Sequence, residues 1–158
     1  MADSKRQQIL AALKTQLQKI KEVDGYKNTV KKVSYGYIPY SKVSEFPTIC
    51  MIPLDAIFSP LTNTEYTSGA DRNSLDGWPI AIISYVRNDA GEEELSDSRE
   101  EIIEDVVKAM LSDRHQGLSS FVHSTYYISV AGTIDDKGTI ATIDQIFSIK
   151  YDFDETAP

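Results

Sequence analysis

Only one cysteine, Cys50, stands in this 158-residue chain, so a single copy can build neither a disulfide nor a multi-thiolate metal site. Long apolar runs are missing as well. No stretch approaches the roughly 18 consecutive apolar residues that mark a membrane-spanning helix, and the N-terminal MADSKRQQIL lacks the apolar centre of an export signal. Both absences point to a chain that folds in the cytoplasm, outside any membrane. Histidine is scarce: His115 and His123 lie across a turn from each other, and no acid-x-x-His or His-x-x-x-His pair exists to build a zinc site. Each reads as an ordinary surface or rim residue. G-x-x-x-x-G-K, G-x-G-x-x-G and G-x-S-x-G are all absent, which leaves nucleotide-phosphate and serine-hydrolase chemistry without motif support.

Charge is abundant but uneven. Residues 1–45 carry nine Lys/Arg against four Asp/Glu, a net of +5, while the rest of the chain carries −13 of the total −8. An acidic majority disfavours non-specific duplex binding, because Lys/Arg contacts to phosphate supply most of that affinity. The segregation predicts surfaces of opposite sign, with the basic N-terminal region and an acidic later helix on different sides of the protomer.

Hydrophobic periodicity supplies the elements. Ile9, Leu10, Leu13, Leu17 and Ile20 recur at three- and four-residue steps, predicting a helix that Asp3 or Ser4 caps and Asp24-Gly25 stops. From Thr29 the period becomes two, with Val33, Tyr35 and Tyr37 on one face of a strand that Pro39 ends or marks as an edge. Phe46 to Leu54 is a second apolar run, held by Pro47 and Pro53 to an edge, a bulge or a short segment between them. Pro79 to Val86 is apolar at both parities, as in a central strand buried on both faces. After an Asn88–Glu94 turn, a second helix is expected to start near Asp97-Ser98, with the apolar stripe Ile102, Ile103, Val106, Val107, Met110 and Leu111. The last third reads as a hairpin. Val122, Tyr126, Ile128 and Val130 share one parity, Asp135–Gly138 turns, and Ile143, Phe147, Ile149, Tyr151 and Phe153 alternate with Asp144, Ser148, Lys150 and Asp152. This order predicts a single α+β domain over 1–158: a mixed, mainly antiparallel sheet covered by two helices. A long irregular loop (59–78) interrupts it, and a loose tail (155–158) follows.

Three features invite chemistry. Glu100 with Glu104, and Glu101 with Asp105, share faces of the second helix and could hold Mg²⁺, which would suit a small metal-dependent enzyme on the acidic helix 97–112. The plainer reading, a solvated acidic face at a helix N-terminus, is favoured, and no cofactor, metal or catalytic residue is assigned. Cys50, among Ile49, Met51 and Ile52, reads as a buried inert thiol. Tyr26, Tyr35, Tyr37 and Tyr40 beside Lys27, Lys31 and Lys32 could stack on single strands but fit core or a protein interface better. Trp78 reads as the anchor of the long loop's end; exposed, it would be a binding hot spot.

The layout as a whole resembles the tail terminator, or tail completion, proteins of tailed bacteriophages. The residues that carry the resemblance are the N-terminal helix RQQILAALKTQLQKI followed by DGY, the strand entering FPTICMIP, the central strand PIAIISYV, the acidic-start helix SREEIIEDVVKAML and the final strand IDQIFSIKYDF. Such a protein is a virion component and not an enzyme. The resemblance implies a small protomer that assembles into a ring, expected to be a hexamer, on the completed tail tube. That ring ends tube polymerisation and offers its other face to a neck or head-completion protein, while DNA passes through without specific binding. A different head-to-tail joining or neck protein is the nearest alternative. Ring closure needs two unlike surfaces that mate head-to-tail. Tyr66, Asp71, Arg72, Trp78 and Arg87, in and beside a loop that could order on contact, are the expected interface residues.

Overall fold

The computed structural model describes residues 4–54, 77–135 and 137–152. Helix α1 (Lys5–Gln18) opens with a capping box: Ser4 Oγ accepts from the Gln7 N–H at 3.2 Å, and Gln7 Oε1 accepts from the Ser4 N–H at 2.7 Å. Its stripe of Ile9, Leu13 and Leu17, continued by Ile20, is fully buried. A short 3-10 turn (Glu22–Asp24) ends at Gly25, whose φ of 91° is open to glycine. Strands β1 (Lys32–Tyr35) and β2 (Thr48–Pro53) follow, then β3 (Trp78–Arg87), helix α2 (Glu92–Leu111), β4 (Val122–Ile134) and β5 (Ile140–Tyr151).

The strands form one five-stranded sheet in the order β1-β2-β3-β5-β4. Only β1–β2 is parallel; the other three pairings are antiparallel. This is the expected α+β arrangement with a mixed, mainly antiparallel sheet. Both helices lie on one face, over a core that includes Ile80, Ile82, Val106, Met110, Ile143, Phe147 and Ile149. On the opposite face the β1–β2 crossover packs Ile38, Val43 and Phe46 onto Cys50, Ile83 and Tyr85. Strand β3, central and buried on both faces until Arg87, answers to its apolar residues at both parities.

Two local expectations are corrected, and a third, left open between alternatives, is resolved. Helix α2 begins at Glu92, inside the segment expected to turn. Leu95 is fully buried, two turns before the expected stripe, and Glu92, Glu93 and Glu94 sit where the helix dipole favours carboxylates. Ser98, placed with Asp97 at the expected helix start, lies inside the helix and accepts from Asn88 Nδ2 at 3.1 Å. Of the alternatives open for the run from Phe46 to Leu54, strand β2 takes the short segment between its two prolines, inside the sheet and not at its edge. Pro53 is tolerated because β1 pairs only as far as Met51; the Leu54 N–H donates across to Pro79, so position 53 turns its missing donor to the side where β1 has ended. The single parity of β4 is broken by irregularities between Val122/Ser124 and Tyr127/Ser129. Thr125 and Tyr127 therefore share the helix-covered face with Val122, while Tyr126 stands opposite Ser148 on the other face.

Candidate functional site

Of the five expected interface residues, Tyr66, Asp71 and Arg72 lie outside the described residues, as does the body of the long loop. Trp78 opens β3 and is 5% exposed, with the Arg6 guanidinium 4.6 Å over its ring and the Tyr151 ring edge-on at 6.2 Å. The indole is occupied by the protomer's own core and offers no face to a partner. Gly77 before it is required by close approach, since a Cβ there would lie 2.9 Å from the Ile149 carbonyl oxygen. Arg87 is the exposed last residue of β3, ion-paired with Asp89 at 3.2 Å. It helps line an open cavity of about 410 Å³ on the face away from the helices, with Tyr40, Phe46, Asp135, Lys137 and Ile140. Trp78 and Arg87 thus stand at opposite ends of one strand and do not form a joint site.

The acidic helix is largely committed to this chain's own structure. Asp105, 3% exposed, accepts from the backbone N–H groups of Lys27 and Asn28 at 3.0 and 2.8 Å and from Asn28 Nδ2 at 2.9 Å. Glu104 pairs with Lys27 Nζ at 2.8 Å, and that contact holds the Glu104 carboxyl below its ordinary range and raises the lysine. Glu100 is paired with Arg99 at 3.0 Å. Three of the four carboxylates considered for Mg²⁺, Glu100, Glu104 and Asp105, already have partners, and among the described residues no group of three or more His, Cys, Asp or Glu could hold a metal ion.

The same contacts correct the expectation that the basic and acidic regions lie on different sides. Residues 25–28 are fastened to α2, with Lys108 Nζ donating to the Gly25 carbonyl at 3.1 Å. Lys5 Nζ donates to the Asp152 carbonyl oxygen at 2.8 Å, and Arg6 Nε to the Tyr151 hydroxyl at 2.9 Å. Much of the N-terminal positive charge is therefore used within the protomer.

The remaining candidates sort simply. Cys50 is buried, and burial pushes its thiol up, away from the reactive thiolate. His115 Nδ1 bonds the Val122 carbonyl oxygen at 2.9 Å, and exposed His123 meets Asp152 at 2.6 Å, a contact that holds the Asp152 carboxyl low. Tyr26 is half-buried against the core with Lys108 Nζ 4.7 Å from its ring. Tyr35, Tyr37 and Tyr40 are exposed along the β1 side, Tyr37 at 62%.

Sequence reasoning missed the far edge of the sheet. Strand β4 runs from Val122 to Ile134 without a lysine, arginine, acid or proline, the residues that ordinarily protect an edge from pairing with another chain. Its last stretch, Ser129 to Ile134, is exposed on both faces, Val130 at 43% and Ile134 at 52%. Asp144 stands opposite Ala131, one strand in from that edge and on the helix-free face. Its Oδ1 is buried with no hydrogen-bond partner, and desolvation raises its carboxyl above the ordinary value. The legible signals were the unbroken neutral run of β4 and an acid in the middle of a strand.

A raised carboxyl pKa means that the ionised form weakens the fold at neutral pH. As pH falls towards the unfolded value of about 3.9, the native state takes up this proton before the unfolded chain does, and stability rises. Asp144→Asn is therefore expected to melt higher than the parent at about pH 7 and to gain less on going to about pH 5. Thermal melts of dilute protein at the two pH values check this; equal gains in both proteins would remove Asp144 as the source.

No protein-family model matches the chain, and no curated protein matches it in sequence.

Proposed function

We propose that this chain is the protomer of a virion ring that caps a phage tail tube, stops its growth and meets the neck or head-completion protein with its other face. One observation carries the reading beyond the resemblance in layout: the open sheet ends in two unlike edges. At one end lies β1, short, with exposed Tyr35 and Tyr37 and flanked by Lys31 and Lys32; at the other lies β4, long and uncharged. Two different surfaces at opposite ends of one sheet are what head-to-tail closure into a ring requires, whereas a two-fold dimer would use one surface twice. The ring works in the virion by blocking addition at the tube end, a task of shape and contact that calls for no bond-breaking chemistry.

Light scattering behind size exclusion, over a concentration series and with negative-stain imaging, tests the reading. The expected species is a closed ring with a central hole and a mass near six copies of the 17.7 kDa chain. A particle that stays at one copy at every concentration, with no ring in the images, rejects it.

A further inference from the structure

We infer that the Ser129–Ile134 edge of β4 receives the β1 edge of a second copy, so that the sheet runs on from one protomer to the next and Lys32 of the added strand reaches Asp144. The inference rests on the ring reading and names its seam.

Backbone geometry makes the edge competent. The Asp135 N–H donates to the Ile140 carbonyl at 3.0 Å, so Asp135 points at β5. Alternation along a strand then turns the N–H and C=O groups of Ile134, Gly132 and Val130 outward. Both irregularities of β4 lie before Ser129, and from there to Ile134 the register against Ile146–Ala141 is unbroken. The edge that a partner would meet is the regular part of the strand.

Side chains select the occupant. On the helix-covered face Val130 and Ile134 stand exposed in the row begun by Tyr127. Beside them the Arg99 side chain lies over Gly132, where a Cβ would come within 3.0 Å of Nε. On β1, Val33 and Tyr35 occupy the helix side, Tyr35 beneath Lys14 Nζ at 4.9 Å, which puts Lys32 and Ser34 on the other face. Joining the two edges with the helices on one side sets the half-exposed Tyr35 against Val130 and Ile134, an aromatic–aliphatic cross-strand contact.

The same join places Lys32 on the face of Ala131 and Asp144. Ala131 is only a methyl, so a lysine stem can cross it to the carboxylate oxygen that lacks a partner. Strand directions agree too. Following the pairings across the sheet, β1 runs against β4, so copies related by rotation about an axis along the strands would pair these edges antiparallel.

Two single variants and their mixture test the seam. Val130→Pro removes an outward-facing N–H and spoils the β4 edge; Lys32→Asp puts a like charge beside Asp144 and spoils the β1 edge. Circular dichroism and melting confirm that each variant folds. Each is expected to fall to one copy by light scattering, and an equal mixture, which retains one sound edge of each kind, is expected to form a dimer and nothing larger. A wild-type ring that neither substitution opens overturns the seam and leaves the ring. A wild-type two-copy particle that both substitutions dissolve, with the dimer restored on mixing, keeps the seam and removes the tube-capping role. A wild-type chain that is monomeric at every concentration overturns both.

Discussion

Asp105→Ala is expected to lower unfolding stability by about 3–5 kcal/mol, because it removes a buried carboxylate, and hydrogen bonds to such a charged acceptor contribute about 1.5–3 kcal/mol each. The carboxylate accepts three hydrogen bonds from residues 27 and 28, and it is the point at which the chain between α1 and β1 is fastened to α2. Alanine leaves two backbone N–H groups without their acceptor in a part-buried site, and each such group, where water does not replace the carboxylate, carries a penalty of about 1–3 kcal/mol. Asp105→Asn keeps one acceptor oxygen and is expected to fall between the parent and alanine. Urea unfolding followed by far-ultraviolet circular dichroism checks the order; a loss under about 1 kcal/mol for alanine would show that the 27–28 turn is held elsewhere. Because small domains are stable by only about 5–15 kcal/mol, the predicted loss is a large fraction of the whole.

Trp78→Ala should be comparably severe, about 3–5 kcal/mol, from the large cavity it opens under the start of β3. The indole supports Arg6 of α1 on its face and Tyr151 of β5 at its edge, so both elements lose a shared neighbour. Trp78→Phe retains an aromatic face and should recover much of the loss. Trp78 is the only tryptophan, so fluorescence vanishes with it and the transition must be followed by circular dichroism. A Trp78→Ala protein that unfolds at the parent's urea midpoint would overturn the core assignment of this side chain and restore it as an interface candidate.

The elements that were legible in the sequence are those fixed by local rules. The α1 stripe and its Ser4 cap, the doubly buried β3, and the Asp135–Gly138 turn each follow from period, capping or turn chemistry within a few residues. Where tertiary contact outweighs local pattern, the reading went astray. The start of α2 depended on whether Leu95 found a core, which nothing between Asn88 and Ser98 discloses. The faces of β4 depended on two irregularities that carry no glycine or proline signature. The candidate surface was less legible still. Charge counts along the chain promised separate basic and acidic patches, yet Lys27 spends its charge on Glu104 of α2 and Lys108 of α2 reaches back to the Gly25 carbonyl. A neutral strand reads as an ordinary element until the sheet order puts it at an edge.

The irregularity between Tyr127 and Ser129 divides β4 into two lengths with different mechanical duties. Val122 to Tyr127 lies against Phe147, Ile149 and Tyr151 and is clamped with the core, while Ser129 to Ile134 projects with exposed sides and is held chiefly by its ladder to β5. Local opening takes least free energy where few buried contacts are lost. The outer length can therefore change its twist by several degrees, or part briefly from β5, while the inner length stays locked. The outer length of β4 is thus a compliant edge on a stiff sheet, adjusting its angle to whatever it meets without passing the strain into the helices behind it.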